Sequence, residues 1–65
     1  MYQNYVRIRD EIGLTDYEVA KRAGFTTATL SNWKAGRYAP KVNKLKRIAD
    51  VLGVTIDELI REEKT

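Results

Sequence analysis

No cysteine and no histidine occur in this 65-residue chain. The first absence excludes disulfides and thiolate chemistry, and the second removes the commonest zinc ligand and general base. Ser31 is the only serine and has no evident base to activate it, while the carboxylates fall in adjacent pairs that point to different helix faces. The composition therefore argues against an enzyme, and it offers no metal site, cofactor site or small-molecule pocket. Long apolar runs are also missing. Met1-Tyr2-Gln3-Asn4 leads straight into a charged segment, so neither a signal peptide nor a membrane span is expected and the chain reads as cytoplasmic. Strand alternation, internal repeats and low-complexity stretches are absent too. The length allows one small domain over residues 1–65, near the lower limit for a core that folds unaided. Its tail, Glu62 to Thr65, is expected to fray.

What is present is an uneven distribution of charge. The net charge is only +3, yet from Val19 to Ala49 every charged residue is basic: Lys21, Arg22, Lys34, Arg37, Lys41, Lys44, Lys46 and Arg47. All carboxylates lie before or after that block. Such a positive pole suits contact with phosphate, with a merely solvated lysine surface as the alternative.

Periodicity divides the chain into five helices. Tyr5, Ile8 and Ile12 mark a first helix over about Gln3 to Ile12, ended by Gly13. Thr15-Asp16-Tyr17-Glu18 forms a capping box that opens a second helix running to Ala23. Gly24 then permits an abrupt turn, Thr26 is placed to cap a third helix over about Thr27 to Ala35, and Gly36 closes it. Val42, Leu45, Ile48, Ala49 and Leu52 define the fourth, terminated by Gly53. Thr55-Ile56-Asp57-Glu58 is a second capping box, opening a short fifth helix to about Arg61. Ala20 supplies a lone methyl where the second and third helices would cross. A steep crossing of this kind is what lays a second helix into the major groove of a duplex.

With Leu30 and Trp33 turned inward, a step of about 100° per residue leaves Ala28, Ser31, Asn32 and Ala35 facing outward and Thr27 at the edge. This face is small and polar. Asn32 is suited to a bidentate contact with adenine, Thr27 or Ser31 to hydrogen bonds with several bases, and Ala28 to a thymine methyl. No arginine or glutamine lies there, which points to a target with important A·T pairs. Lys41 and Lys44 open the fourth helix, where cations oppose the helix dipole unless a phosphate docks there; idle exposed lysines are the alternative. Arg37 and Tyr38 in the preceding loop, together with Lys34, belong to the same candidate backbone-contacting surface. Tyr17 is open between phosphate contact and plain exposure. Trp33, three residues from Leu30, reads as core rather than as a base-stacking platform.

The ordered series Gly13-Leu14-Thr15, Val19-Ala20-Lys21-Arg22-Ala23-Gly24-Phe25, Leu30-Ser31-Asn32-Trp33-Lys34-Ala35-Gly36, Pro40 and Leu45 through Leu59 resembles the lambda-repressor-like helix-turn-helix family, the Cro/repressor or XRE type. The resemblance covers about Tyr5 to Leu59. It implies an all-α, compact five-helix domain in which helices two and three form the helix-turn-helix. The implied function is sequence-specific binding of double-stranded DNA and transcriptional regulation by a phage or prokaryotic repressor, commonly a homodimer on a two-fold operator. Val54, Ile56, Leu59 and Ile60 are the dimer candidates, some of which must serve the core instead. Two positions depart from the family pattern. Members commonly carry glutamine where Asp16 stands, so a phosphate contact is expected to be lost. Many carry an acidic residue where Lys34 stands, so Arg9 must find another acceptor or stay solvated. A protein-interaction module of the same fold, such as an antitoxin, an antirepressor or an assembly adaptor, is the alternative, disfavoured by the uninterrupted positive block.

Overall fold

The computed structural model describes residues 2–61, so the tail 62–65 expected to fray lies outside the described residues. The elements are α1 (Tyr2–Ile12), α2 (Asp16–Ala23), α3 (Thr27–Lys34), α4 (Val42–Leu52) and α5 (Ile56–Ile60), with no strand among the described residues. Both expected capping boxes form. The Thr15 and Thr55 hydroxyls accept from the amides of Glu18 and Glu58, and each glutamate reaches back to its threonine amide. Thr26 occupies the N-cap of α3 with extended backbone, but its hydroxyl makes no capping bond, which corrects the capping role expected for it.

The ends of α1 to α4 share one device. The amides of Leu14, Phe25, Arg37 and Val54 bond back to the carbonyls of Arg9, Ala20, Asn32 and Ala49 at 3.0–3.1 Å, closing Schellman turns. At the junction of α2 and α3 this requires Gly24 at φ +86°, a left-handed conformation that strains any residue with a Cβ.

α2 packs chiefly on α4, and α1 on α5. Between them lie Tyr5, Ile8, Val19, Ala20, Leu30, Trp33, Leu45, Ile48, Ala49, Leu52 and Leu59, all buried. Leu30 and Trp33 thus anchor α3 from beneath as expected. Thr29 is also buried, because it stands one turn before Trp33 on the same face. Two stripe residues depart from expectation. Ile12 is 48 % and Val42 69 % exposed, since each occupies a terminal position of its helix, beyond the neighbour that would cover it. Leu59 has no exposed surface and belongs to the core, so it is withdrawn from the dimer candidates.

One polar node ties α1, α2 and α3 together. Asp16 accepts from the Tyr5 hydroxyl at 2.6 Å, from Arg9 Nη1 at 2.7 Å and from the Tyr2 hydroxyl at 3.4 Å. The rings of Tyr2 and Tyr5 lie 5.4 and 5.3 Å from that of Trp33, the first edge-on. Burial disfavours the charge of Asp16. Hydrogen bonds from Tyr5 and Arg9, the Arg9 charge and the Tyr2 hydroxyl outweigh that burial and hold its carboxyl below the ordinary 3.8. Burial first, and then the bond to Asp16 and its negative charge, push the Tyr5 phenol far above its usual range.

Two outcomes follow from this geometry. Nothing lies closer than Arg47 Nη1, at 3.9 Å, to the point where a Cβ on Gly24 would sit, so a substitution there meets backbone strain rather than crowding. Gly24→Ala should lower the free energy of unfolding by about 1 kcal/mol, and Gly24→Asn by less, because asparagine tolerates the left-handed region. Denaturant titration decides between the two causes: a greater loss with the larger asparagine would make the restriction steric. Asp16→Asn should cost about 1–2 kcal/mol at neutral pH. Because the folded pKa of Asp16 is depressed, its contribution is complete above 3.8 and is lost as pH falls through the lower folded value. The gap between wild type and Asp16→Asn should therefore close in acid, and a gap constant with pH would refute a charge-dependent contribution.

Candidate nucleic-acid interface

The outer face of α3 is built by what its inner face must bury. Leu30 and Trp33 fix the rotation of the helix, and that rotation leaves Thr27, Ala28 and Ser31 exposed and Asn32 half-buried. No acidic residue stands in the first turn of α3, and with the Thr26 hydroxyl uninvolved the positive end of the helix dipole is uncompensated by side chains. The surface offers short hydrogen-bonding groups and one methyl without bulk. A surface of this kind can approach the edges of base pairs closely.

Around this face the candidate backbone contacts occupy four places. Lys34, at the end of α3, is exposed and pairs with no carboxylate among the described residues. In the loop that follows, Arg37 Nη1 donates to Asn32 Oδ1 at 3.0 Å, while Asn32 Nδ2 donates to the Tyr38 hydroxyl at 2.7 Å. Three residues expected to touch DNA separately are thus brought into one hydrogen-bonded group. At the start of α4, Lys41 is an exposed N-cap without a side-chain capping bond, and Lys44 is half-buried with its ammonium 5.9 Å from the centre of the Phe25 ring. The Lys44 amide bonds the Lys41 carbonyl at 2.9 Å and Asn43 Oδ1 at 3.0 Å, so this donor of the helix end is already engaged. Tyr17 is 64 % exposed and lines a shallow groove with Lys21, Phe25, Thr26 and Thr27, beside the start of α3. Phe25, in the turn, therefore links the Tyr17 groove to Lys44 of α4.

Arg9, for which another acceptor was expected, finds it in Asp16. Asp16 is turned toward α1, where it supplies the acceptor for Arg9; the guanidinium also holds Asp10 at 2.7 Å. Arg9 is therefore neither solvated nor dependent on α3. Of the remaining dimer candidates, Val54, Ile56 and Ile60 are half-buried against the core, and Val54 and Ile56 border a groove with Lys46 and Thr55. Among the described residues no group of acidic side chains is arranged to hold a metal ion, and no helix is long and apolar enough to cross a membrane.

Known proteins share this fold. A transcriptional regulator from Listeria innocua, known from its crystal structure, superposes with a TM-score of 0.74 at 28% identity, covering 98% of this chain and 61% of that one. An uncharacterised HTH-type transcriptional regulator of Sinorhizobium fredii is 44% identical over 57 residues, 88% of this chain and 74% of the relative. The immunity repressor protein of Bacillus phage phi105 is 30% identical over 61 residues, of whose own length the match spans 42%. The helix-turn-helix family profile matches residues 7–59, which take in α2, α3 and the helices that support them. The chain belongs to the helix-turn-helix family of DNA-binding transcription regulators, in its lambda-repressor-like form.

Proposed function

We propose that this chain represses transcription by binding a specific operator in double-stranded DNA as a homodimer, with α3 in the major groove. The observation that carries the reading is the outer face of α3. Thr27, Ala28, Ser31 and Asn32 present donors, acceptors and a methyl at the surface, while Leu30 and Trp33 hold the helix from below. In this arrangement Asn32 bonds an adenine edge, Thr27 and Ser31 bond neighbouring bases, and Ala28 meets a thymine methyl. Tyr17, Lys34, Arg37, Tyr38, Lys41 and Lys44 contact phosphates and set the docking register without reading sequence. Repression, rather than activation, is favoured by the likeness to the phage immunity repressor. Pairing of two half-sites raises the modest affinity of one module, and Val54, Ile56 and Ile60 are the residues proposed to join the copies.

Operator selection from a random duplex pool tests the base-reading assignment. The recovered core should be rich in A·T pairs and two-fold symmetric, with half-sites about one helical turn apart. A guanine-dominated or asymmetric core would contradict it. On the selected operator, log affinity should fall against log salt by roughly 0.9 per phosphate contact. Lys41→Ala should make that slope shallower. Asn32→Ala should leave the slope unchanged while relaxing preference at one base pair by about 1–3 kcal/mol. Affinity independent of salt would instead favour a protein partner.

A further inference from the structure

We infer that Arg37 and Tyr38 are positioning residues which fix the orientation of the Asn32 amide, and so determine base preference at the position Asn32 reads; the inference rests on the proposed reading of DNA by α3. The chain's own turn creates the arrangement. Gly36 takes φ +77°, and the amide of Arg37 bonds back to the Asn32 carbonyl at 3.0 Å. Arg37 is thereby folded under the residue five places earlier, and its side chain reaches Asn32 Oδ1 at 3.0 Å. Tyr38 follows, its hydroxyl 2.7 Å from Asn32 Nδ2.

Donor and acceptor chemistry makes this group directional. A guanidinium can only donate, so the amide atom facing Arg37 must be the oxygen, and the nitrogen must face Tyr38. A phenol hydroxyl can accept from the amide nitrogen or donate to the amide oxygen, and so cannot impose this order itself. Arg37 chooses the orientation and Tyr38 holds it. One amide N–H and one oxygen lone pair of Asn32 are left, and these are the two groups that adenine N7 and N6–H require. The reversed amide would face the same edge with its donor and acceptor exchanged. Tyr38 keeps its own hydroxyl proton free to donate elsewhere, so holding Asn32 does not exclude a phosphate contact.

The test uses the full chain, with wild type, Tyr38→Phe, Asn32→Ala and the double variant. Each is titrated against the selected operator and against duplexes in which single A·T pairs are replaced by G·C. Tyr38 is 59 % exposed, so removing its hydroxyl leaves the core untouched. Tyr38→Phe should reduce discrimination at the Asn32 position by roughly 3- to 10-fold, the scale of one side chain freed to rotate, and leave the other positions unchanged. In the Asn32→Ala background the same substitution should change discrimination no further. In free protein, the Asn32 side-chain amide resonances should shift in Tyr38→Phe. Equal weakening on all duplexes, additive effects in the double variant, or unmoved amide resonances would each overturn the positioning role while leaving the DNA reading intact. A wild type that does not discriminate among the duplexes, or whose discrimination survives Asn32→Ala, overturns both.

Discussion

The pairing of Asp16 with Arg9 and Tyr5 joins α1 to α2 directly beneath the Trp33 anchor of α3. A carboxylate at the first position of α2 completes the charge of a guanidinium on α1 and receives a phenol proton from the same helix. The Arg9 and Asp16 side chains are 18 % and 31 % exposed, enough shielding for the pair to be worth more than a solvated surface bridge. Tyr5 carries the effect onward, because its ring and that of Tyr2 lie against Trp33. α3 is thus held from below by a chain of contacts that includes one charge.

This arrangement also explains how α3 can be free of acids. A carboxylate near its end could neutralise Arg9, but it would stand beside the surface proposed to meet phosphate. Placing the acceptor at position 16, turned inward, removes negative charge from that surface and allows a lysine at position 34. The same helix start retains Glu18 for its capping box, so two adjacent acidic roles are divided: Asp16 bonds across to α1 and Glu18 bonds to its own backbone. Each is favourable near the N-terminus of α2 on dipole grounds as well.

Much of the fold was legible because local chemistry and global packing agree. Thr15 with Glu18 and Thr55 with Glu58 announced two helix starts, and the glycines at 13, 24, 36 and 53 announced four ends, since both signals are satisfied within a few residues. Leu30 and Trp33 were placed inside by spacing alone. Periodicity was weaker at helix ends, where a stripe residue has no neighbour to cover it, as Ile12 and Val42 show. It could not divide Val54, Ile56, Leu59 and Ile60 between core and surface, because the last helix is too short for its rotation to be read. The candidate site was legible as a set of residues on one helix and its flanks. The bonds of Asn32 to Arg37 and Tyr38 were not, because they depend on the path of the chain after Gly36 rather than on helical spacing.

The main-chain bonds that seal the ends of α1, α2, α3 and α4 have a mechanical meaning for an encounter with a duplex. On the proposed reading, these main-chain seals would tend to pass any mismatch in curvature to the duplex rather than to the helix junctions. On the proposed reading, base steps that no side chain touches then matter through the ease with which they bend or overtwist. On that reading, part of the choice of target would rest with the elasticity of the duplex.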